Sequence, residues 1–327
     1  MLLAGALLAV FAAGGVFAYS RAGAGSSEPL AGAAAATAVA TPSPVVIGSP
    51  TDDARIIAAG DIGRCDSKAD DKTGQLVSTL PGTVLLLGDD AYNNGTAKEF
   101  TGCYAPSWGP LLFRTWASPG NHDHYTVGAT PYFDYFGSRA GPDRRGWYSV
   151  ELGAWHVVSL DSECLLVGGC GPESDQGRWL TADLVAHPTS CVLAFWHRPR
   201  FSSGVHGDDP GEDGLWRAVV AGGVDVILNG HDHDYERLDP LSADGAPDPS
   251  GVREFVVGTG GAPLRDFPQS IGRSAFRDAK HHGVITMTLT PTGYDWAFLR
   301  TPNGAVVDSG SSPCQNTRSA IAVTATP

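Results

Sequence analysis

The sequence predicts an α/β domain. Three observations carry this: five short apolar runs at wide intervals, helical patterns between them, and a second group of segments that alternate like hairpin strands. The runs are RIIAAGD from Arg55, TVLLLGD from Thr83, TWASPGNHD from Thr115, CVLAFWH from Cys191 and VDVILNGHDH from Val224. Their aliphatic content, short length and Gly or Pro punctuation suit central strands covered on both faces. Helical spacing occupies Lys72 to Leu80, Gln176 to His187 and Leu215 to Ala221. Gly146 to Asp161, Arg253 to Gly258 and Val284 to Arg300 read as the alternating group, so the sheets are expected to be mixed.

A chain of 327 residues with 42% hydrophobic and 17% charged residues suits a globular enzyme with long loops. The formal charge of -13 argues against a stable nucleic-acid partner, because phosphate backbones are held by clustered Lys and Arg. Residues 1–20 carry no charge before Arg21, which reads as a signal peptide over 1–24 or an N-terminal membrane anchor, and as export in either case. Residues 25–52 read as a disordered Ala/Gly/Ser/Pro linker, 53–312 as the catalytic domain and 313–327 as a loose tail. Six cysteines in an exported chain favour disulfides. Cys164 with Cys170, Cys65 with Cys103 and Cys191 with Cys314 is one pairing among the many that six cysteines allow.

Chemistry is carried by where the polar residues fall. Each apolar run ends in a metal-ligand type: Asp61, Asp89, Asn121, His197 and the pair His231 and His233. Singly, such an ending is a turn Asp or a core His. Together they point to the crevice beyond the carboxyl ends of the strands, where distant residues converge in open α/β sheets. Carboxylate, amide oxygen and imidazole without thiolate suit Fe, Zn or Mn. His231 and His233 are two apart, which puts both on one side of an extended segment.

In chain order the motifs are GDIG (60–63), GDDAY (88–92), GNHD (120–123), the lone His197 and GHDH (230–233). On this ordered set the chain resembles the calcineurin-like metallophosphoesterases. Tyr92 in a GDxxY form and GHDHDYER (230–237) make it similar to the purple acid phosphatases, over roughly Arg55 to Arg300. The resemblance implies a four-layer αββα sandwich of two mixed sheets flanked by helices. It also implies a phosphomonoester hydrolase that acts on small phosphate-ester substrates by attack of a metal-bridging hydroxide. One ion would be held by Asp61, Asp89, Tyr92 and His233, and a second by Asp89, Asn121, His197 and His231, with Asp89 bridging.

A phenolate from Tyr92 stabilises a trivalent ion far better than a divalent one. Three plus two positive charges against two carboxylates, a phenolate and a hydroxide leave one net positive charge for phosphate, so iron(III) with a divalent Zn, Mn or Fe is expected. His122 is expected to meet negative charge building on phosphorus. His206 is the expected proton donor to the leaving group, at the offset from His197 where the resembling enzymes have a substrate-facing histidine. Gly207 follows it, where plant-type members often show a second histidine. Asp123 and Asp232 read as carboxylates that orient imidazoles. Asp90 reads as pointing to solvent, Tyr235 to Arg237 as bracing a turn, and His281 and His282 as candidates to line the cleft. His124, His156 and His187 read as ordinary residues. Two alternatives stand beside this reading. One is a phosphodiesterase or nucleotide pyrophosphatase with the same centre, and the other a non-catalytic surface binding protein on this fold, which would be expected to have lost ligands.

Overall fold

The computed structural model describes residues 44–189, 191–268 and 272–315, which build two mixed sheets. In chain order the strands are β1 (Val45–Ile47), β2 (Ala54–Ala59), β3 (Thr83–Leu87), β4 (Thr115–Ser118), β5 (Tyr148–Leu152), β6 (Trp155–Ser159) and β7 (Cys191–Phe195). They continue with β8 (Val226–Asn229), β9 (Tyr235–Leu238), β10 (Arg253–Val257), β11 (Ser274–Asp278), β12 (Gly283–Thr290), β13 (Gly293–Arg300) and β14 (Ala305–Pro313). The eight-stranded sheet has the order β1-β5-β6-β7-β8-β10-β9-β11, and the six-stranded sheet β14-β13-β12-β2-β3-β4. All five apolar runs are strands: β2, β3 and β4 lie parallel in one sheet, and β7 and β8 lie parallel in the other. The expected hairpins are the antiparallel pairs β5/β6 and β12/β13.

Burial on both faces explains why the runs are apolar throughout. Along β7, Cys191, Leu193 and Phe195 face the larger core, which also takes residues from β12 and β13, while Val192 and Ala194 face a second core under the helices. Each fully buried Leu or Phe there contributes about 1.5–3 kcal/mol. The helices that cover the sheets are α1 (Ala69–Ser78), α2 (Thr130–Phe136), α3 (Asp175–Ala186) and α4 (Asp213–Ala221). Helix α3 starts where the Ser174 side chain accepts the Gly177 N–H, and it stops at His187, whose φ of −119° and ψ of 72° suit a residue before Pro188. Trp179, Leu180 and Leu184 of α3 and Leu215, Trp216 and Val219 of α4 fill the second core. This is the expected arrangement of helices outside two stacked sheets.

Two boundaries differ from the sequence reading. Val45–Ile47, inside the stretch read as linker, pair in parallel with β5. Three exposed residues at a sheet edge give no alternation to detect. At the other end β14 continues to Pro313, so the stretch read as tail begins inside the sheet. Tyr235 to Arg237 form strand β9 rather than the brace of a turn. The disulfides are Cys65–Cys103, Cys164–Cys170 and Cys191–Cys314, the pairing named above. The leader or anchor over 1–24, most of the linker and residues 316–327 of the tail lie outside the described residues. Among the described residues no helix is long and apolar enough to cross a membrane.

Candidate metal centre

Each candidate ligand stands just beyond the carboxyl end of its strand, three loops from one sheet and two from the other. The backbone there is unusual: Asp61 (φ 62°), Asp89 (φ 55°) and His231 (φ 70°) are left-handed. That region disfavours L-residues, with Asn, Asp and His the commonest exceptions, and strained backbone of this kind clusters at functional sites. The glycine before Asn121 has a steric reason, since a Cβ on Gly120 would sit 2.3 Å from Asp89 Oδ1.

The seven side chains converge, none of them more than 9% exposed. In a first group, the Tyr92 hydroxyl lies 2.6 Å from Asp61 Oδ1, 3.0 Å from Asp89 Oδ2 and 3.3 Å from His233 Nε2, and His233 Nε2 lies 3.3 Å from Asp61 Oδ1. In a second, His197 Nε2 lies 3.3 Å from Asp89 Oδ2, 3.2 Å from Asn121 Oδ1 and 3.2 Å from His231 Nδ1. Asp89 Oδ2 belongs to both.

Outer contacts aim these atoms. His197 Nδ1 donates to the Leu87 carbonyl (2.8 Å) and His233 Nδ1 to the Pro263 carbonyl (2.9 Å), which turns both Nε2 atoms inward. The His231 N–H donates to Asp61 Oδ2 and the His122 N–H to Asp89 Oδ1, both at 2.8 Å. Burial opposes ionisation of Asp89, yet His197 beside it holds the carboxyl below its ordinary range; burial equally opposes charge on His197, and Asp89 raises it to about 10. Burial, with Asp61 and Asp89 alongside, pushes the Tyr92 phenol well above its usual value, so a phenolate here requires a cation. Buried carboxylates, phenol, amide oxygen and inward imidazole nitrogens, one carboxylate shared between two groups, fit a pair of metal ions.

A cleft of about 260 Å³ opens over the centre, lined by Asp89, Asn121, His122, His206, His231 and His233, and by Tyr125, Arg198 and Arg265. His122 Nδ1 is 2.6 Å from the Asn93 carbonyl, and its Nε2 is 3.8 Å from Asp89 Oδ2. His206 stacks on His231 with ring centroids 4.1 Å apart, and its Nδ1 lies 2.8 Å from Asp232 Oδ1. Asp232 therefore orients an imidazole, as expected. Asp123 does not: its Oδ2 accepts the N–H groups of Asp89, Asp90 and Gly120, so it shapes the ligand turn instead. Asp90 is fully buried rather than solvent-facing, and burial next to Asp123 and Asp89 pushes its carboxyl well above the usual range. His281 and His282 contact Asp278 and the Ala262 carbonyl, outside the cleft lining.

Sequence reasoning missed Tyr125, Arg198 and Arg265. Arg198 reaches Glu163 (2.6 Å) and His231 Nε2 (3.1 Å); its signal was adjacency to His197. Arg265 is exposed, 3.3 Å from His206 Nε2, and reaches the cleft because its own N–H binds the His233 carbonyl. No motif marks it.

A two-sheet sandwich with helices outside and a paired donor set at the strand ends defines the metallophosphatase fold class. The sequence matches the calcineurin-like phosphoesterase family over residues 54–235, more than half of the chain, and the protein belongs to that family. Purple acid phosphatase 15 of Arabidopsis thaliana is 25% identical over 244 residues, covering 63% of this chain and 45% of the relative. The purple acid phosphatase from yellow lupin (Lupinus luteus) seeds shares the fold with a TM-score of 0.69 at 18% identity, covering 80% of this chain and 54% of that one. So does GAP50, the anchor in the inner membrane complex of Plasmodium, with a TM-score of 0.62 at 14% identity, covering 80% and 89%. The chain spans about half the length of the curated relatives it matches.

Proposed function

We propose that the protein is an exported phosphoesterase that hydrolyses small phosphomonoesters at a two-metal centre. The observation that carries this is the sharing of Asp89 Oδ2 between the Tyr92 hydroxyl at 3.0 Å and His197 Nε2 at 3.3 Å, one from each donor group. Asp61, Asp89, Tyr92 and His233 would hold iron(III); Asp89, Asn121, His197 and His231 would hold Zn, Mn or Fe(II). When bound, such a pair supplies Lewis-acid charge for the phosphate oxygens and lowers the pKa of water at the site towards neutrality.

The chain's own residues do the rest. His122, its Nδ1 engaged by Asn93, has Nε2 available to a phosphate oxygen as negative charge builds on phosphorus. His206, held through Nδ1 by Asp232, presents Nε2 as the proton donor to the leaving oxygen. The catalytic domain runs from β1 to Cys314, preceded by a linker and the leader or anchor of residues 1–24. Three disulfides support an oxidising compartment. Metal analysis with a visible spectrum of the purified protein tests the centre. Iron and a tyrosinate charge-transfer band that is lost in Tyr92→Phe are expected; a colourless, iron-free active enzyme sinks the iron–phenolate assignment.

Exposed Arg265 at the cleft mouth favours a second reading, a phosphodiester or nucleotide pyrophosphate whose leaving group is itself anionic. Rates on p-nitrophenyl phosphate and its bis-ester separate the two: faster monoester turnover supports the first. A purely binding role is disfavoured because all seven donor positions are filled.

A further inference from the structure

We propose that Glu151, His156 and His187 form a further metal site, for a divalent transition ion such as zinc, at the end of the eight-stranded sheet away from the candidate centre. His156 is level with Val192 at the start of β7, whereas the ligand His197 follows that strand's far end. Glu151 on β5 is the cross-strand partner of His156 on β6, and His187 follows α3. One ligand atom from each of the three lies within 4.8 Å of the others. That spread closes on zinc, with bonds of about 2 Å, after small side-chain shifts.

The stronger observation is how the histidines are aimed. Asp183 is fully buried and engages both: its Oδ2 lies 2.8 Å from His156 Nε2, and its carbonyl lies 2.9 Å from His187 Nδ1. A carboxylate or carbonyl fixing the outer nitrogen is the usual support of a metal-binding imidazole. The arrangement turns His156 Nδ1 towards Glu151, whose Oε1 is 2.7 Å away. Asp183 is in turn held by Ser149 Oγ at 3.0 Å. The two rings lie face to face with centroids 4.7 Å apart.

Charge supports the same conclusion. The ion-pair partners of Glu151 and Asp183 are these two histidines. A divalent ion with neutral imidazoles balances both carboxylates, which is the condition for burying charge cheaply. Two imidazoles and a carboxylate suit zinc, and water completes the shell. Glu151 lines a surface cavity of about 510 Å³ with Pro188 and Thr189, which gives a hydrated ion a way in.

The test counts zinc. Chelator-stripped full-length protein, Glu151→Gln and His187→Ala are each dialysed against excess zinc, washed, and assayed by plasma mass spectrometry, with circular dichroism as the check on folding. Each variant is expected to hold one zinc fewer than the parent. Because a difference is read, the outcome does not depend on how many ions the candidate centre takes or on what it catalyses. Equal counts in the parent and both variants overturn the site. Should either variant not fold, cobalt(II) titration of a chain carrying Asp61→Ala, Asp89→Ala and His231→Ala together, which removes donors from both groups of the candidate centre, decides: an intense tetrahedral visible band supports the site, and its absence overturns it.

Discussion

Two buried polar clusters tie the sheets together, and they are built on opposite plans. Asp308 on β14 accepts the Tyr235 hydroxyl (2.8 Å), Arg237 Nε (2.8 Å) and Nη2 (3.1 Å), and Trp296 Nε1 (3.2 Å), linking β9 of one sheet to β13 and β14 of the other. Donors meet acceptors and every charge has its opposite. At the candidate centre, carboxylates, phenol and imidazoles face one another, and acceptors outnumber the protons that could satisfy them. A closed network holds a fold by itself, whereas convergent lone pairs hold it only together with a cation.

That contrast predicts opposite mutational profiles. The largest effect is expected for His231→Ala, which should lower turnover of a phosphomonoester by about a thousandfold or more, with the denaturation curve of the metal-free protein nearly unmoved. Unchanged turnover would place the chemistry elsewhere. Asp308→Ala should do the reverse. It strands Arg237 and costs about 3–5 kcal/mol in urea denaturation, with normal turnover per folded molecule; a cost under about 1 kcal/mol breaks the comparison.

His206→Ala should lie between these in character. Loss of a general acid lowers kcat by about a hundredfold on an alkyl phosphate, but by less than about tenfold on p-nitrophenyl phosphate, whose leaving group needs little protonation. Equal losses on both substrates would remove His206 as the donor. The smallest effect is in acid. Although burial opposes its ionisation, Arg237 and Tyr235 hold the Asp308 carboxyl below its ordinary range. A depressed folded-state value contributes stability that is complete above the unfolded-state value, about 4, and is lost as pH falls through the folded one. The denaturation midpoint of the parent should therefore drop below about pH 4 more steeply than that of Asp308→Asn, and parallel curves would count against the assignment.

Legibility in the sequence followed the same division. Six of the candidate ligands, Asp61, Asp89, Asn121, His197, His231 and His233, stand out because each closes an apolar run with a residue type that a buried strand does not otherwise need, whereas Tyr92 is marked only by the family resemblance. Asp90 could not be read, because the left-handed turn at Asp89 sends its neighbour inward and no periodicity records that. Asp123 was misjudged for a related reason: its partners are backbone N–H groups, which leave no trace in side-chain spacing. The Asp308 cluster was invisible, since β14 is a polar edge strand and its partners lie on other strands, 71 and 73 residues away in sequence in the cases of Arg237 and Tyr235.

The left-handed geometry at Asp61, Asp89 and His231 sets the terms on which this centre could drift or be redesigned. Asparagine at either aspartate position removes a charge while keeping the chain's path, whereas valine or isoleucine would have to unbend the loop before any question of coordination arose. Retuning the centre for another element is therefore a choice among very few amino acids, made by torsion angles before it is made by affinity.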